Sequence, residues 1–482
     1  MASSLITIAG RPSSAIGSPP RNLHLLLPSP GIGHLIPFVE LAKRLVHQNL
    51  TATIITFSDL SSHVQQSLLS SLPVGISSVS LPLIPLDDLP ANAHVVTRLS
   101  HMIARSIPFL RLILQNLQKF NTRIVAYITD LFGGDTLSVA TELSIPRYVF
   151  FTSNFFYFSF FHNLPHLYSE SGGVHHTLSL PGCVRLHARD FSRSAIDKES
   201  EEFAWMIRHA KQIDRADGIM VNSFEAVEGD AAKFLKERGK GKPPIFPVGP
   251  LTSKVELESK VDCRYMQWLD RQPDRSVLFI SLGSGGTLSM EQTREMASGL
   301  EMSRQRFLWI VRAPAGSDAS ANYFSAQGGG RSELLDFLPP GFVERTKDTG
   351  MIVHSWAQQE KILAHEAIGG FLSHCGWNST LESMVNGVPM IAWPLYSEQP
   401  MNAVLLVEGL KVALRPTPQV EKLVNRDEIA EAVRRLMEGD EGKEARKRMQ
   451  EVKQAATAAV GVEGASYMAL TSIVNIWKAS GL

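Results

Sequence analysis

Apolar runs alternate with amphipathic stretches along this chain and predict an α/β fold. Residues 22–28 (NLHLLLP) are an apolar run, and the glycine loop SPGIGH follows them. The next segment has the spacing of a helix, with one apolar face made by Leu35, Phe38, Leu41, Ala42 and Leu45. Residues 51–57 and 123–130 have the composition of further strands. Strands that alternate with helices are typical of a parallel, doubly wound sheet.

The same pattern starts again in the second half of the chain. Residues 242–256 contain four prolines and little periodicity. Strand-like runs then return in RSVLFISLGSGG, QRFLWIVRA, GMIVHSWA, GGFLSHCG and VPMIAWP. We therefore expect two Rossmann-like domains that face each other. The expected bounds are 22–248 for the N-terminal domain, 249–262 for the linker, 263–460 for the C-terminal domain, and 461–482 for a C-terminal helix that packs back on the N-terminal domain.

Two segments have compositions that do not suit a packed core. Residues 1–21 are rich in Ser, Pro and Ala and contain two arginines but no acidic residue. This composition indicates a disordered tail, with a transit peptide as the alternative. Residues 313–333 are rich in Gly, Ser and Ala, so we expect a mobile insertion there.

The charge and the cysteines exclude several classes of protein. The net charge is zero and the basic residues are scattered, so nothing indicates binding to nucleic acid or to an anionic membrane. The three cysteines lie far apart, which predicts neither a disulfide framework nor a clustered metal site. Residues 148–167 are strongly aromatic, but polar residues and a proline interrupt them, so we expect a core helix or a pocket wall. We expect a cytoplasmic monomer without stable membrane insertion.

Residues 356–399 combine the residue types that bind a nucleotide, a diphosphate and a sugar. His374 ends a predicted strand, and Asn378 and Ser379 are expected to cap the helix that follows. The N-terminus of a helix suits a diphosphate. Trp356 ends a predicted strand, where its ring can stack on a base. Glu382 lies one helical turn after Ser379, where its carboxylate can accept hydrogen bonds from a ribose diol.

This window resembles the signature box of the plant family 1 UDP-glycosyltransferases. The resemblance covers nearly the whole chain from residue 22 and is closest to hydroquinone (arbutin-forming) and monolignol-type glucosyltransferases. The stretches PSPGIGHLIPFVELAKRL, LPGCV, SLGSGGTLS and FLPPGFVERT support this placement. It implies a GT-B fold, in which two facing Rossmann-like domains leave a ligand cleft between them.

The resemblance also implies a role for each matching residue of the donor site. The matches are Trp356 and Ala357 for the uracil, Gln359 and Glu382 for the ribose, Ser284, His374, Asn378 and Ser379 for the diphosphate, and Trp377, Glu398 and Gln399 for the sugar. The family associates the closing glutamine with glucose donors, so UDP-glucose is the expected co-substrate. The chain departs from the family at Gln358, where the family usually has proline.

His34 and Asp130 are the expected catalytic pair. A sugar acceptor needs a base, and His34 follows a glycine loop at a helix start, where the neutral imidazole is favoured. Asp130 ends another strand of the same predicted sheet and can steady the protonated ring. Both match the family's catalytic segments. The resemblance implies inversion at the sugar and a β-O-glucoside. Phe132, Phe155 and Tyr157 are the candidates for contacts with a small phenolic acceptor.

Several alternatives stay open at this point. The acceptor can be a hydroquinone, a phenylpropanoid or a flavonoid, and attack can occur through nitrogen or carbon instead of oxygen. A non-catalytic nucleotide-sugar-binding protein would keep the donor residues. A dinucleotide-dependent dehydrogenase is disfavoured because Ile36 and Leu288 stand where G-x-G-x-x-G needs its third glycine. The chain contains no Asp-x-Asp run, whose carboxylates would hold the divalent ion of a metal-dependent transferase. We therefore expect no metal and no cofactor beyond UDP-glucose.

Overall fold

A computed structural model gives the structure of the chain in two compact units. It describes residues 8–9, 21–58, 63–90, 92–119, 122–170, 173–174, 176–239, 241–252, 264–314, 337–354, 357–416 and 423–479. The first unit comprises Met1–Cys183, Arg193–Val255 and Ala458–Leu482, and the second comprises Val184–Ser192 and Glu256–Thr457. Most of the expected tail (1–21), linker (249–262) and insertion (313–333) lies outside the described residues.

The described strands are short and mostly buried. In chain order they are β1 Ile8–Ala9, β2 Arg21–Leu27, β3 Thr51–Phe57, β4 Ile76–Leu81, β5 Thr122–Thr129, β6 Arg147–Phe151, β7 Thr177–Leu178, β8 Leu186–His187, β9 Gly218–Val221, β10 Ile245–Pro247, β11 Val277–Ser281, β12 Arg306–Val311, β13 Gly350–His354, β14 Ile368–Ser373, β15 Met390–Ala392 and β16 Ala413–Leu414. The central strands are continuous apolar runs because helices cover both faces of a parallel sheet.

Helices connect these strands along the chain. The α-helices are Ile32–His47, His63–Ser70, Val95–Lys119, Leu137–Glu142, Phe155–Glu170, Arg193–Ile196, Glu201–Gln212, Glu225–Lys236, Arg264–Leu269, Met290–Ser303, Phe342–Arg345, Gln359–Leu363, Trp377–Asn386, Gln399–Val404, Arg426–Met437, Asp440–Val460 and Ala465–Ala479. Short 3-10 helices cover Gly133–Thr136, Ala188–Asp190 and Ile213–Arg215, and a π-helical turn covers Leu405–Gly409.

In the sheet of the first unit, the side on which the chain adds successive strands changes between β2 and β5. Its strand order is β1-β4-β3-β2-β5-β6-β9-β10, and every pair is parallel except β1 with β4. The chain adds β3 and β4 on one side of β2 and then returns to add β5 on the other side. Such a switch point opens a crevice at the carboxyl ends of the strands, where α/β proteins bind ligands.

The second unit repeats this topology. Its sheet has the order β13-β12-β11-β14-β15-β16, and all five pairs are parallel. Here the switch point lies between β11 and β14. The predicted doubly wound sheets are therefore confirmed in both units.

The C-terminal helix Ala465–Ala479 belongs to the first unit. Leu470, Ile473, Val474 and Trp477 are buried in the same hydrophobic cluster as the apolar face of helix Ile32–His47. The indole of Trp477 packs on the rings of His24 (centroids 4.8 Å apart) and Tyr148 (5.1 Å). Burial lowers the pKa of His24 to about 4, although a hydrogen bond with the Thr51 carbonyl opposes this effect.

The aromatic run at residues 148–167 is not one helix. Its first residues, up to Phe151, belong to strand β6, and a separate helix begins at Phe155. Asn154 accounts for the break, because its side-chain oxygen accepts the Tyr157 backbone N–H at 2.7 Å. A side chain that accepts such a bond favours a helix start over a continuous helix. Among the described residues, no helix is long and apolar enough to cross a membrane.

Candidate active site

His34 and Asp130 meet at the switch point of the first sheet. Leu27 at the end of β2 pairs with Thr129 at the end of β5, so the residues after these strands lie close together. Helix Ile32–His47 begins after Gly31, whose φ of 118° favours glycine, and carries His34 in its first turn. Nδ1 of His34 lies 2.8 Å from Oδ2 of Asp130.

Several donors hold the buried carboxylate of Asp130. Ser29 donates its backbone N–H to Oδ2 at 2.8 Å and its hydroxyl to Oδ1 at 2.5 Å, and the Phe132 N–H donates at 3.1 Å. Burial alone would raise the pKa of Asp130, but the His34 charge and the hydrogen bonds from His34 and Ser29 outweigh it, so this pKa lies below its usual value. Sequence reasoning missed Ser29. The signal that could have found it is its position between two prolines, which restrict the backbone of the glycine loop.

One of the three candidate acceptor contacts lies beside this pair. The ring centroid of Phe132 is 5.7 Å from that of His34 and 5.4 Å from that of His209. Tyr157 instead packs in an aromatic cluster whose rings include Phe151. Phe155 is fully buried. The described ring contacts therefore bring only Phe132 to the catalytic pair.

In the second unit, helix Trp377–Asn386 begins earlier than the sequence suggested. Gly376 is its N-cap residue and no side chain caps the helix, so the prediction that Asn378 and Ser379 are caps is wrong. These two residues lie inside the first turn, where backbone N–H groups have no partner within the helix. The helix therefore presents its N-terminus directly to the switch point between β11 and β14, the arrangement that binds a phosphate.

Gln359, Ser379 and Glu382 form one hydrogen-bonded group. Nε2 of Gln359 donates to the Ser379 hydroxyl at 2.8 Å and to Oε2 of Glu382 at 2.6 Å. Burial raises the pKa of Glu382 to about 7, and the charge of Glu360 adds to this effect while the Gln359 bond opposes it. The group keeps acceptor oxygens on Gln359 and Glu382, which suits the two hydroxyls of a ribose.

His374 is packed between two glycines. A Cβ atom on either Gly283 or Gly376 would lie 2.4 Å from its Nε2, so only glycine allows this approach. Burial, together with the positive charge of Arg312, lowers the pKa of His374 to about 4. The imidazole is therefore neutral near pH 7 and can serve a diphosphate as a hydrogen-bonding group but not as a positive charge.

The segment after β15 fixes the orientation of Gln399. Its Oε1 accepts the backbone N–H groups of Leu395 (2.9 Å) and Tyr396 (3.0 Å), so its amide NH₂ group stays available to a ligand. Glu398 is half-buried and Trp377 is buried. Sequence reasoning missed Asn402, whose amide donates to the Cys375 carbonyl at 2.9 Å and so holds the turn before helix Trp377–Asn386.

The base-binding end of the expected donor site is described only in part. Trp356 lies outside the described residues, whereas Ala357 is buried. Gln358, the departure from the family, donates its backbone N–H to the Tyr265 hydroxyl at 3.3 Å. Proline could not make this bond, so the substitution ties the turn to helix Arg264–Leu269. Ser284 is half-buried in the glycine loop after β11.

The described part of the chain contains no group of three or more His, Cys, Asp or Glu side chains that could hold a metal ion. The expected donor residues surround a different kind of site: a helix N-terminus, a glycine loop and the buried carboxylate of Glu382. Such a combination can hold a nucleoside diphosphate through backbone N–H groups.

Comparisons with known proteins agree with this chemistry. Residues 253–455 match the family described as UDP-glucoronosyl and UDP-glucosyl transferase. The chain is 47% identical to hydroquinone glucosyltransferase from Rauvolfia serpentina, over 94% of this chain and 97% of that protein. It is 45% identical to UDP-glycosyltransferase 72B1 from Arabidopsis thaliana, over 94% and 96% of the two chains.

Solved structures of similar proteins hold a donor analogue and aromatic molecules. The chain resembles Phytolacca americana UGT2 complexed with UDP-2fluoro-glucose and pterostilbene, with a TM-score of 0.86 and 43% identity over 95% of this chain and 100% of that chain. A UDP-glucosyltransferase from Polygonum tinctorium that can glucosylate indoxyl, solved with 3,4-dichloroaniline, gives a TM-score of 0.86 and 40% identity over 96% and 100%.

Proposed function

This chain belongs to the plant family 1 UDP-glycosyltransferases and has their GT-B architecture of two α/β domains, and we propose that it transfers glucose from UDP-glucose to a hydroxyl of a small phenolic acceptor. The observation that carries this proposal is the buried contact between His34 and Asp130 at the switch point of the first sheet. A phenol needs such a base, and Phe132 offers it an aromatic neighbour.

The first step is the removal of the acceptor proton. Nδ1 of His34 faces Asp130, so Nε2 is the nitrogen that takes the proton. The ring then becomes a cation, and the carboxylate of Asp130 stabilises it. Asp130 can stay ionised throughout because Ser29 and His34 keep its pKa below the usual value.

The second step is a single displacement at the anomeric carbon. The acceptor oxygen forms a bond to this carbon, the bond from carbon to the β-phosphate oxygen breaks, and the electron pair leaves with UDP. Attack from the face opposite the leaving group inverts the configuration and gives a β-glucoside. The helix N-terminus at Trp377 stabilises the departing diphosphate, while Gln359 and Glu382 hold the ribose and Gln399 donates to the sugar.

The names of the relatives support a phenolic acceptor. One is a hydroquinone glucosyltransferase, and another is solved with pterostilbene. We propose hydroquinone and stilbene-type phenols as the first acceptors to test. The Polygonum tinctorium structure with 3,4-dichloroaniline favours a second candidate, transfer to an aromatic amine. We propose that neither reaction needs a metal ion or a further cofactor.

Product analysis tests this proposal. The purified chain is incubated with UDP-glucose and hydroquinone, pterostilbene or 3,4-dichloroaniline, with and without EDTA, and the products are examined by mass spectrometry and proton NMR. We expect phenol glucosides that are one hexose heavier, with a β-anomeric coupling, in both conditions. An α-anomer would contradict the single displacement, and loss of activity in EDTA would contradict metal independence. UDP-glucose binding without transfer to any acceptor would favour a non-catalytic binding protein.

A further inference from the structure

Arg312 directly follows β12 and faces the glycine loop of the second unit. β11 lies between β12 and β14 in the sheet, and the three strands run parallel. Their carboxyl ends therefore bring together Arg312, the loop that contains Ser284, and His374. Nη1 of Arg312 donates to the Ser284 carbonyl, and the Thr287 hydroxyl donates to the Ala313 carbonyl at 2.8 Å.

The guanidinium of Arg312 is half-buried, and the described residues provide no counterion for it. It lines a pocket together with Gly283, Gly286 and Thr287. Burial lowers its pKa, but an arginine side chain stays charged in proteins. Within the described residues no carboxylate lies at ion-pair distance from it, whereas Arg415 in the same unit has Asp190 at 4.0 Å. Withdrawing a charge from water without a partner is costly, so a fold that keeps one indicates a bound anion.

The diphosphate of the sugar nucleotide is the anion that fits this position. The adjacent His374 is neutral near pH 7 and cannot balance the charge that develops on the leaving group. A helix N-terminus supplies only about half a unit charge. A full positive charge next to the same glycine loop would stabilise the transition state more than the ground state, because the negative charge on the β-phosphate grows as the bond to the sugar breaks.

We propose that Arg312 is the counter-charge of the UDP diphosphate, which it attracts while it holds the glycine loop through the Ser284 carbonyl. This inference rests on the proposed function, since it assumes that the second unit binds UDP-glucose. It assigns the positive charge of the site to a residue outside the helix N-terminus and the signature window. It also separates two contributions of one side chain, the charge and the bond to the loop.

Ligand binding by calorimetry separates charge recognition from a structural role. Arg312→Met is compared with wild type for UDP and for uridine, which lacks the phosphates. We expect UDP affinity to fall about 10- to 100-fold, the range of a hydrogen-bonded charged group, while uridine affinity changes less than about twofold. Arg306→Met, an exposed residue at the other end of β12, is the matched control and should leave both affinities unchanged. An equal loss for UDP and uridine, or no loss for UDP, would overturn the proposal.

Arg312→Lys provides a second measurement, which does not require the glycine loop to be fully ordered. Lysine keeps the charge but not the planar fork, so we expect it to recover part of the UDP affinity and of kcat that methionine loses. Lysine and methionine variants with the same UDP affinity would contradict a charge effect. If wild type binds UDP but transfers no glucose, the proposed function fails while the comparison of UDP with uridine still tests Arg312.

Discussion

Nδ1 of His34 and Oδ2 of Asp130 lie 2.8 Å apart, although the three strands β3, β4 and β5 and the helices His63–Ser70 and Val95–Lys119 separate them along the chain. The switch point between β2 and β5 produces this contact, because it places the ends of two adjacent parallel strands side by side. Ser29 completes the arrangement by holding both carboxylate oxygens. The pair is therefore a product of topology more than of local sequence.

Asp130→Asn should lower turnover strongly. The carboxamide has a similar shape but cannot stabilise a protonated His34, and such a change costs up to about 10⁴-fold in a related arrangement. Steady-state kinetics with UDP-glucose and a phenol measure the loss. Ser29→Ala is the graded comparison, because the backbone N–H of residue 29 still reaches the carboxylate, and we expect a loss of about tenfold. Equal effects of the two variants would contradict the role assigned to Asp130.

UDP-glucose binding should release a proton near neutral pH. Glu382 has a pKa of about 7 because it is buried, and a ribose diol that donates to it favours the ionised form. Its pKa should therefore fall on binding, so affinity should rise as the pH increases from about 6 to 8. Calorimetry in buffers of different ionisation enthalpy counts the released protons. In Glu382→Gln we expect weaker binding without proton release. Unchanged release in this variant would exclude Glu382 as its source.

Gln399→Glu should affect the sugar more than the nucleotide. A glutamate can still accept the N–H groups of Leu395 and Tyr396, but it loses the NH₂ group that we assign to glucose. We expect UDP-glucose affinity to fall about three- to tenfold, the effect of one hydrogen bond, with UDP affinity nearly unchanged. Titration with both ligands makes the comparison. Equal losses would mean that Gln399 only holds the segment after β15.

His24 should make the first unit sensitive to acid. Its pKa is about 4 in the folded chain and near the ordinary 6.5 when unfolded, so the unfolded state binds the extra proton first. The contribution of neutral His24 to the free energy of unfolding is complete above about pH 6.5. It is lost as the pH falls towards 4, by up to about 3 kcal/mol.

His24→Asn tests this linkage, since asparagine does not titrate and can still donate to the Thr51 carbonyl. Urea unfolding at pH 7.5 and pH 5 should show a smaller loss of stability for this variant than for wild type. The exposed His47 provides the control variant His47→Asn. If His24→Asn lost as much stability between pH 7.5 and pH 5 as wild type does, this would contradict the prediction.

The sequence allowed the two doubly wound sheets to be predicted, because apolar runs and glycine loops are local signals. The roles of the donor residues in the matching window stay predictions. The same signals could not reveal Ser29 or Arg312. Each acts through a contact made by strands that are neighbours in the sheet but distant along the chain. The start of helix Trp377–Asn386 was misplaced because Asn378 and Ser379 are good capping residues, and the structure uses Gly376 instead.

The turnover of His34→Ala, measured beside its UDP-glucose affinity, tests most directly whether His34 activates the acceptor. Loss of a general base should lower kcat by about 10²- to 10⁴-fold, while donor affinity stays within about twofold because the expected donor residues belong to the second unit. His47→Ala, at the other end of the same helix, should behave as wild type. A His34→Ala enzyme that keeps the wild-type kcat would contradict the role of His34 as the base that activates the acceptor.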